Sequence, residues 1–512
     1  MSLTGWILRQ VLDHRLRQVA KALAHPAAAQ EQLLLGFVRR AEATEWGRAH
    51  GFAAIRSVRD FQRAVPISRY EDLAPLWHRA FDGARDVAWP GHIRYFATSA
   101  GTTTGKTKYL PVSRESLRAN VRSGTTLVAL IQRQAPDIDF ASGKTLYFGS
   151  SIHVERHGAC WEGDSSGINA LRMPRLAWRY RLPERDVAAI QDWAQRLEAV
   201  CQRYVDSPVR AVVGLPAWTL ALFRRLVEVA RVRHGSAVST VGEVWPDLRA
   251  YAHFGMAFDA YRQQFKELVG RPIAFIDSYS STEGGINAIQ SDPSDPSMQL
   301  ELDAGAFYEF VPLSDYGKPD PPRLTLDQVA TGTDYALLVT TPAGIWAYDV
   351  GDAVRFTSLR PPKIVFAGRT RLTLSAFGEH LTGEVIDRAI AEASAAVGAA
   401  IRDFTVTGVP PAGSQARGHH LWLVEFEGPT PPLDRMAAEI DKSICAANLD
   451  YEVYRTVSID HPEVAALASG TFHEWARRHD ALGGQHKVPR VARSPEMVEE
   501  LLAISKGLAG KG

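Results

Sequence analysis

Residues 95 to 113 constrain the fold more than any other stretch. They read Tyr-Phe-Ala-Thr-Ser-Ala-Gly-Thr-Thr-Thr-Gly-Lys-Thr-Lys-Tyr-Leu-Pro-Val-Ser. An apolar, strand-like run from Ile93 to Ala97 leads into a loop with two glycines, a serine and three consecutive threonines, and Lys106 and Lys108 follow. Such a loop cradles phosphate: glycines let backbone N–H groups approach an anion, hydroxyls donate further bonds, and lysines supply charge. A plain Gly/Thr hairpin without a ligand is the other reading of the loop taken alone.

Gly105-Lys106-Thr107 also approximates the end of the nucleotide-binding pattern G-x-x-x-x-G-K-[S/T], with Ala100 in place of its first glycine. That pattern opens directly into a helix whose N-terminus faces the phosphates. Here Thr107 to Val112 is strand-like, and Pro111 excludes a helix interior. The helix signal comes at Ser113, an N-cap residue before the run Leu117 to Gln134. The loop is therefore expected to join two strands, against a P-loop NTPase.

A chain of 512 residues exceeds one ordinary domain of about 100–200 residues, so several units are expected. Its net charge of +1 lacks the basic excess of a nucleic-acid binder. It has no apolar run of about 18 residues to span a membrane. Trp6 to Leu23 is interrupted by Arg9, Asp13, His14, Arg15 and Arg17, unlike a signal peptide. Cys160, Cys201 and Cys445 are too few and too far apart for a disulfide framework or a zinc site. The expected location is the cytoplasm, with no nucleic acid or membrane as partner. The absence of a coiled-coil pattern favours a monomer.

Along the chain, residues 1–90 show helical periodicity through Ile7, Leu12, Leu16, Val19, Leu23, Leu33, Leu34, Phe37 and Val38. Strand and helix signals alternate from Lys144 to Ser278: Lys144 to Ser150, Ala211 to Trp218, the helical Thr219 to Val232, Leu248 to Phe254, the helical Phe258 to Leu268, and Pro272 to Ser278. This alternation predicts an α/β domain with a largely parallel sheet, whose ligands bind at the carboxyl ends of the strands. After Gly368-Arg369-Thr370-Arg371 the composition changes. A smaller unit follows, with a helix over Glu384 to Val397, strands over Arg402 to Val409 and His420 to Phe426, and helices near Leu433 to Leu449.

Two further stretches carry chemistry. In Asp277-Ser-Tyr-Ser-Ser-Thr-Glu-Gly-Gly, Tyr279 offers a face for a base, Thr282 a hydroxyl for a phosphate or carboxylate oxygen, and Glu283 an oxygen ligand for Mg²⁺. Ser-Ser-Thr-Glu equally reads as a helix N-cap. In Trp346-Ala-Tyr-Asp-Val-Gly-Asp, Gly351-Asp352 separates two β-rich runs. Asp352 there is either a ribose-hydroxyl acceptor or an ordinary turn residue. Near the end, Gly483-Gly484-Gln485-His486-Lys487-Val488-Pro489-Arg490 places a lysine in a glycine-flanked loop.

Taken together these stretches resemble the adenylate-forming superfamily of acyl-CoA synthetases and firefly luciferase. Its phosphate loop, Tyr-x-x-Thr-Glu, Tyr-x-x-Gly-Asp, Gly-Arg hinge and C-terminal lysine recur in order at 98–108, 279–283, 348–352, 368–371 and 487. More closely, the chain resembles the auxin-responsive acyl-acid amido synthetase (Gretchen Hagen) family. That match adds Gly214-Leu-Pro-Ala-Trp, Trp245-Pro-Asp-Leu, Phe307-Tyr-Glu-Phe-Val-Pro and Gly-Gln-His-Lys-Val-Pro-Arg.

The resemblance implies an α/β fold: a large adenylate-forming N-terminal domain over 1–369 with mixed or parallel sheets and helices, and a small mobile α+β domain over 370–512, hinged near 369–372. It implies an ATP- and Mg²⁺-dependent ligase that adenylates a carboxylic acid and passes the acyl group to an amine, an amino acid by the closer match. Coenzyme A is the competing acceptor. Ser99, Thr102, Thr103 and Lys106 would bind ATP phosphates, Tyr279 would pack on adenine, Thr282 would touch the α-phosphate, and Asp352 would bind the ribose, with Arg369 near it in the ATP site. Glu283 would help hold Mg²⁺, Arg371 would sit at the hinge, and Lys487 would reach the reacting carboxylate. Trp218, Phe254 and Met256 are candidate acyl-pocket residues, although such residues are more often plain core. Two departures stand out: Ala100 where relatives carry a serine, and Asp349 where arginine is usual.

Overall fold

Apolar residues recurring every three or four positions fold the N-terminal stretch into a helical layer. In the computed structural model it comprises Leu3–Ala24, Pro26–Ala41, Glu45–Ala49, Val58–Ala64 and Tyr70–Phe81. The structure describes residues 3–99, 108–255, 258–370, 373–379, 381–411, 417–479, 489–492 and 494–509. Polar residues start these helices where the chain leaves amides unpaired: Thr44 accepts from the Gly47 amide at 3.0 Å and Ser57 from that of Asp60 at 3.2 Å. The buried face carries Phe52, Phe61, Trp77 and Trp89, which pack with Trp346 and Tyr348. Two indoles also fix the layer by hydrogen bonds, Trp77 to the Gly344 carbonyl and Trp346 to the Ala88 carbonyl, both at 3.1 Å.

The chain divides into two compact units. The larger is drawn from Met1–Ser99, Thr107–Phe258 and Phe265–Thr370, the smaller from Asp259–Gln264 and Arg371–Gly512. Among the described residues, the larger unit is built on an eleven-stranded sheet with two characters. Its parallel half runs Arg181–Leu182, Lys144–Phe148, Val209–Gly214, Ala250–Phe254, Ala274–Ser281. At Ser281 the chain reverses, and the antiparallel half follows in the order Gly285–Gln290, Met298–Leu300, Pro362–Arg369, Ile345–Leu359, Asp334–Thr341, Phe307–Pro312. The alternating signals between Lys144 and Ser278 therefore fold as read, and the antiparallel half extends the sheet beyond them. Boundaries shift by a few residues, most plainly where the helix expected from Thr219 begins at Pro216; proline at the first helical position lacks an amide that would go unpaired anyway.

Tyr95–Ser99 and Lys108–Val112 pair antiparallel in a separate four-stranded sheet. The helix Arg114–Gln134 starts only after Ser113, whose side chain accepts from the Ser116 amide at 2.9 Å. The loop thus joins two strands, and the helix that a nucleotide-binding P-loop needs directly after its lysine is replaced by a strand. In the smaller unit, Ala400–Val409 and His419–Glu427 pair antiparallel and Glu463–Leu467 adds in parallel. Helices Gly383–Val397, Leu433–Ala447, Leu449–Val457, Thr471–Arg478 and Pro495–Ala509 complete that unit.

A buried ion cluster ties the first helix to the sheet. Arg15, 4% exposed, forks onto Asp303 at 2.6 and 2.7 Å and reaches Glu301 at 3.3 Å, while Thr126 donates to Glu301 at 3.0 Å. Burial raises the Glu301 carboxyl to about 7, against the opposing pull of Arg15 and Thr126. The native state then keeps a proton that the unfolded chain has released, so stability falls as pH rises from 4.5 to about 7. Urea unfolding of Glu301→Gln should lack that decline, worth at most roughly 3 kcal/mol; an unchanged slope would assign the decline to other groups.

Candidate active site

The last parallel strand, Ala274–Ser281, ends in Thr282-Glu283-Gly284, and Gly285–Gln290 returns antiparallel beside it. Of the two readings of Ser-Ser-Thr-Glu, the helix cap therefore falls, because no helix follows. The reversal depends on glycine. Gly285 has φ +73°, and a Cβ there would lie 2.2 Å from Asn120 Oδ1. Ser281 fastens the turn, accepting from the Gly284 amide at 3.0 Å and the Asn287 side chain at 3.2 Å. Thr282 and Glu283 are both half-buried at this strand end.

Asp352 comes from the other half of the sheet. The turn expected at Gly351-Asp352 is instead a kink inside one continuous strand, Ile345–Leu359. Gly351 takes φ +84°, its amide donates to Asp349 Oδ1 at 3.0 Å, and its carbonyl accepts from the Thr370 amide at 2.9 Å. The kink leaves Asp352 only 4% exposed. Tyr279 donates its hydroxyl to Asp352 Oδ2 at 2.6 Å, and Arg369, paired directly opposite, brings Nη1 to 2.9 Å from Oδ1. Burial raises the Asp352 carboxyl, with Arg369 and Tyr279 pulling it down. The Tyr279 phenol is pushed well up by burial and by the adjoining carboxylate. Its ring tilts against that of Phe366 at 6.2 Å.

Glu283 faces the same cluster. The protein packed around it raises its carboxyl; its own backbone amide and the charges of Lys108 and Arg369 oppose this, while Asp352 adds to it. The Tyr348 hydroxyl is bonded to it and is raised in turn, first by burial and then by Glu283. Tyr348 and Lys108 lie within motifs quoted from the sequence, but reading those motifs for nucleotide contacts alone gave neither a role toward Glu283. The signal available was position: Tyr348 opens Tyr-x-x-Gly-Asp, and Lys108 follows the Gly/Thr-rich loop. Asp349 has found other cations and donors, with Tyr316 donating to it at 2.7 Å and Arg69 Nε lying 3.7 Å away.

The structure brings together Tyr279, Glu283, Asp352 and Arg369. Ser99 ends its strand, and its side chain lies outside the described residues, as do Thr102, Thr103, Lys106, Met256, Arg371 and Lys487. Of the acyl-pocket candidates, Trp218 is buried on the helix Pro216–His234, its ring edge-on to Trp193 at 6.1 Å. Phe254 is half-buried and packs against the cluster of Leu127, Leu130, Val213 and Ala252.

Two solved structures share this architecture across almost the whole chain. An acyl acid amido synthetase in complex with 2,4-DB aligns over 97% of this chain and 96% of its own, with a TM-score of 0.58 at 19% identity. A 2-hydroxyisobutyryl-CoA ligase with 2-HIB-AMP and CoA aligns over 94% and 93%, with a TM-score of 0.54 at 15% identity. At such identities the likeness is one of fold. The sequence narrows it: models of the GH3 family N-terminal, central and C-terminal domains match residues 15–158, 300–369 and 384–496 in order, and the chain belongs to that family. Curated relatives include an indole-3-acetic acid-amido synthetase of Oryza sativa subsp. indica, 25% identical over 95% of this chain and 92% of its own. A jasmonoyl–L-amino acid synthetase of Nicotiana attenuata is 23% identical over 90% of each chain.

The bond between Tyr279 and Asp352 is the testable joint of this cluster. A double-mutant cycle with Tyr279→Phe and Asp352→Asn, read by urea unfolding, should give a coupling of about 1–3 kcal/mol, as for hydrogen bonds to charged groups. Additive effects would show that the two side chains do not act together.

Proposed function

We propose that this chain is an ATP-dependent acyl-acid amido synthetase: it converts a carboxylic acid to an acyl-adenylate with release of pyrophosphate, then passes the acyl group to an amine, displacing AMP. The observation that carries this reading is the meeting of Tyr279, Glu283, Asp352 and Arg369 at the carboxyl end of the last parallel strand, in a chain of the GH3 family. The names of the relatives supply the first substrates to try, indole-3-acetic acid as acid and an amino acid as acceptor.

The chemistry explains the residues. A carboxylate is a poor electrophile, and joining it to ATP means holding two anions together in a site poor in water. Tyr279 and Asp352 would receive the nucleoside, with Arg369 holding Asp352 charged. Ser99, Thr102, Thr103, Lys106 and Thr282 would receive the phosphates, and Lys487 would meet the reacting carboxylate. Glu283 fits Mg²⁺. This ion takes one or two protein carboxylates, its remaining ligands being phosphate oxygens and water, and Glu283 is a half-buried residue whose negative charge is disfavoured where it stands. Bound there, the ion would neutralise phosphate charge. A mobile smaller unit hinged near 369–372 belongs to the same proposal.

Nucleotide analysis tests the reaction. With Mg-ATP, a panel of acids and a panel of amino acids, AMP and pyrophosphate should form only when an acid is present, and an amide only when an amino acid is added. Thioester formation with coenzyme A in place of the amide would reassign the acceptor, and acid-independent ADP would overturn adenylation. The residue roles separate by half-reaction. Lys487→Ala should slow adenylation by about 10²-fold or more, the scale of losing one transition-state contact, and leave amide formation from a supplied acyl-adenylate nearly unchanged. Equal losses in both half-reactions would remove Lys487 from the adenylation step.

A further inference from the structure

Three arginines are buried among the described residues: Arg15, Arg181 and Arg196. A buried guanidinium is costly unless oxygen atoms surround it, and two of the three meet that condition. Arg15 holds Asp303 and Glu301. Arg196 donates to the carbonyls of Ile190 at 2.5 Å and Gln191 at 3.2 Å, and feels the charges of Asp164 and Asp192.

Arg181 differs. It is 8% exposed in the edge strand Arg181–Leu182, and its contacts are aromatic faces: the guanidinium carbon lies 4.6 Å from the ring centre of Tyr147 and 5.1 Å from that of Trp178. Among the described residues its buried Nε has no hydrogen-bond partner, and neither has the buried indole N–H of Trp178. The guanidinium of Arg185 lies 4.9 Å from the same indole ring. The nearest acids in sequence do not help, because Glu184 and Asp186 both pair with Arg203. Burial lowers Arg181 to about 10, as it does Arg196, and here the opposing pull comes from the Tyr147 hydroxyl.

Donors therefore gather where acceptors are missing. We propose that Arg181, Trp178 and Arg185 form a binding site for a small oxyanion, a carboxylate or a phosphate group, separate from the candidate active site. The aromatic faces pre-set the guanidinium plane, so that its outer N–H fork can take two oxygens of one anion. The site lies at the far edge of the parallel half, four strands from the strand carrying Tyr279. It shares no residue with the nucleotide cluster, and it is independent of the reaction proposed above.

The test is calorimetric and thermal titration of the full chain with inorganic phosphate and, separately, with acetate, at constant ionic strength, for the native protein, Arg181→Met and Arg181→Lys. The native protein should bind at least one of the two anions and unfold at higher temperature in its presence. Arg181→Met should bind about tenfold more weakly or worse, and in anion-free buffer it should be at least as stable as the native protein, since it removes an uncompensated charge. Arg181→Lys, which keeps the charge and loses the fork, should fall between them. Response to phosphate alone, acetate alone or both then defines the oxyanion. Any phosphate taken by the nucleotide site is common to all three proteins and cancels. Equal binding by native protein and variants, or no binding of either anion, overturns the site. So does an Arg181→Met protein that is destabilised without anion, which would make Arg181 a structural anchor.

Discussion

The buried carboxylate of Asp352 sets the terms for the larger unit. A charge that is only 4% exposed costs several kcal/mol unless its oxygens are answered, and the two answers come from different places. Arg369 is its direct partner across neighbouring strands, which fixes register at the kink. Tyr279 sits four strands further along the sheet order. A flat sheet would hold the two strands about 19 Å apart at its usual spacing, yet the hydroxyl is 2.6 Å from the carboxylate. The antiparallel half must therefore curl back over the end of the last parallel strand. The short strand Met298–Leu300 permits this, because it pairs with Lys363 and Ile364 and leaves the Arg369 end without that neighbour.

How much of this was legible in the sequence follows from the range of the forces involved. Local signals read well: Ser113 as a cap, Pro111 as a strand residue, the helical layer before the phosphate loop, and the alternation from Lys144 to Ser278 all concern residues a few positions apart. The kink at Gly351 did not read. Gly-Asp is a turn signal in isolation, and only pairing with two flanking strands keeps the chain extended through it. The antiparallel extension and its curl were equally invisible, since they depend on contacts between residues far apart in sequence. The site motifs were recognisable as a set, but the bond between Tyr279 and Asp352 was not, because a tyrosine read for its flat face gives no hint that its hydroxyl is committed elsewhere.

Asp349 shows the same limit from the other side. In the sequence it marks the loss of a cation where arginine is usual. In the structure it is a fastening, accepting from the Gly351 amide at 3.0 Å and from Tyr316 at 2.7 Å, with Arg69 nearby. Tyr316 is tied in turn to Thr370, which donates to it at 3.2 Å. A carboxylate at this position holds the kink from within, by a bond to the amide two residues on, as aspartates do in turns. The carboxylate at this position thus acts as an inward clamp on the bend that buries Asp352.

Asp352 lies close enough to Glu283 to raise its proton affinity, and the protein gives the two carboxyls different company. Asp352 is enclosed, with one oxygen accepting from a tyrosine and the other, without a hydrogen bond among the described residues, in ion-pair contact with an arginine on its own sheet. Its charge is answered by the fold itself, which makes it a rigid acceptor. Glu283 stands on a hairpin held by glycine, partly open to solvent, with Lys108 acting through charge and Tyr348 through its hydroxyl. On the proposed reading, Glu283 is the carboxyl that would gain from a cation brought with a substrate. Exchanging their environments would give a mobile acceptor and a sealed cation ligand. Under the function proposed above, the observed arrangement would let a single strand end hold one half of a nucleotide by geometry and the other by charge.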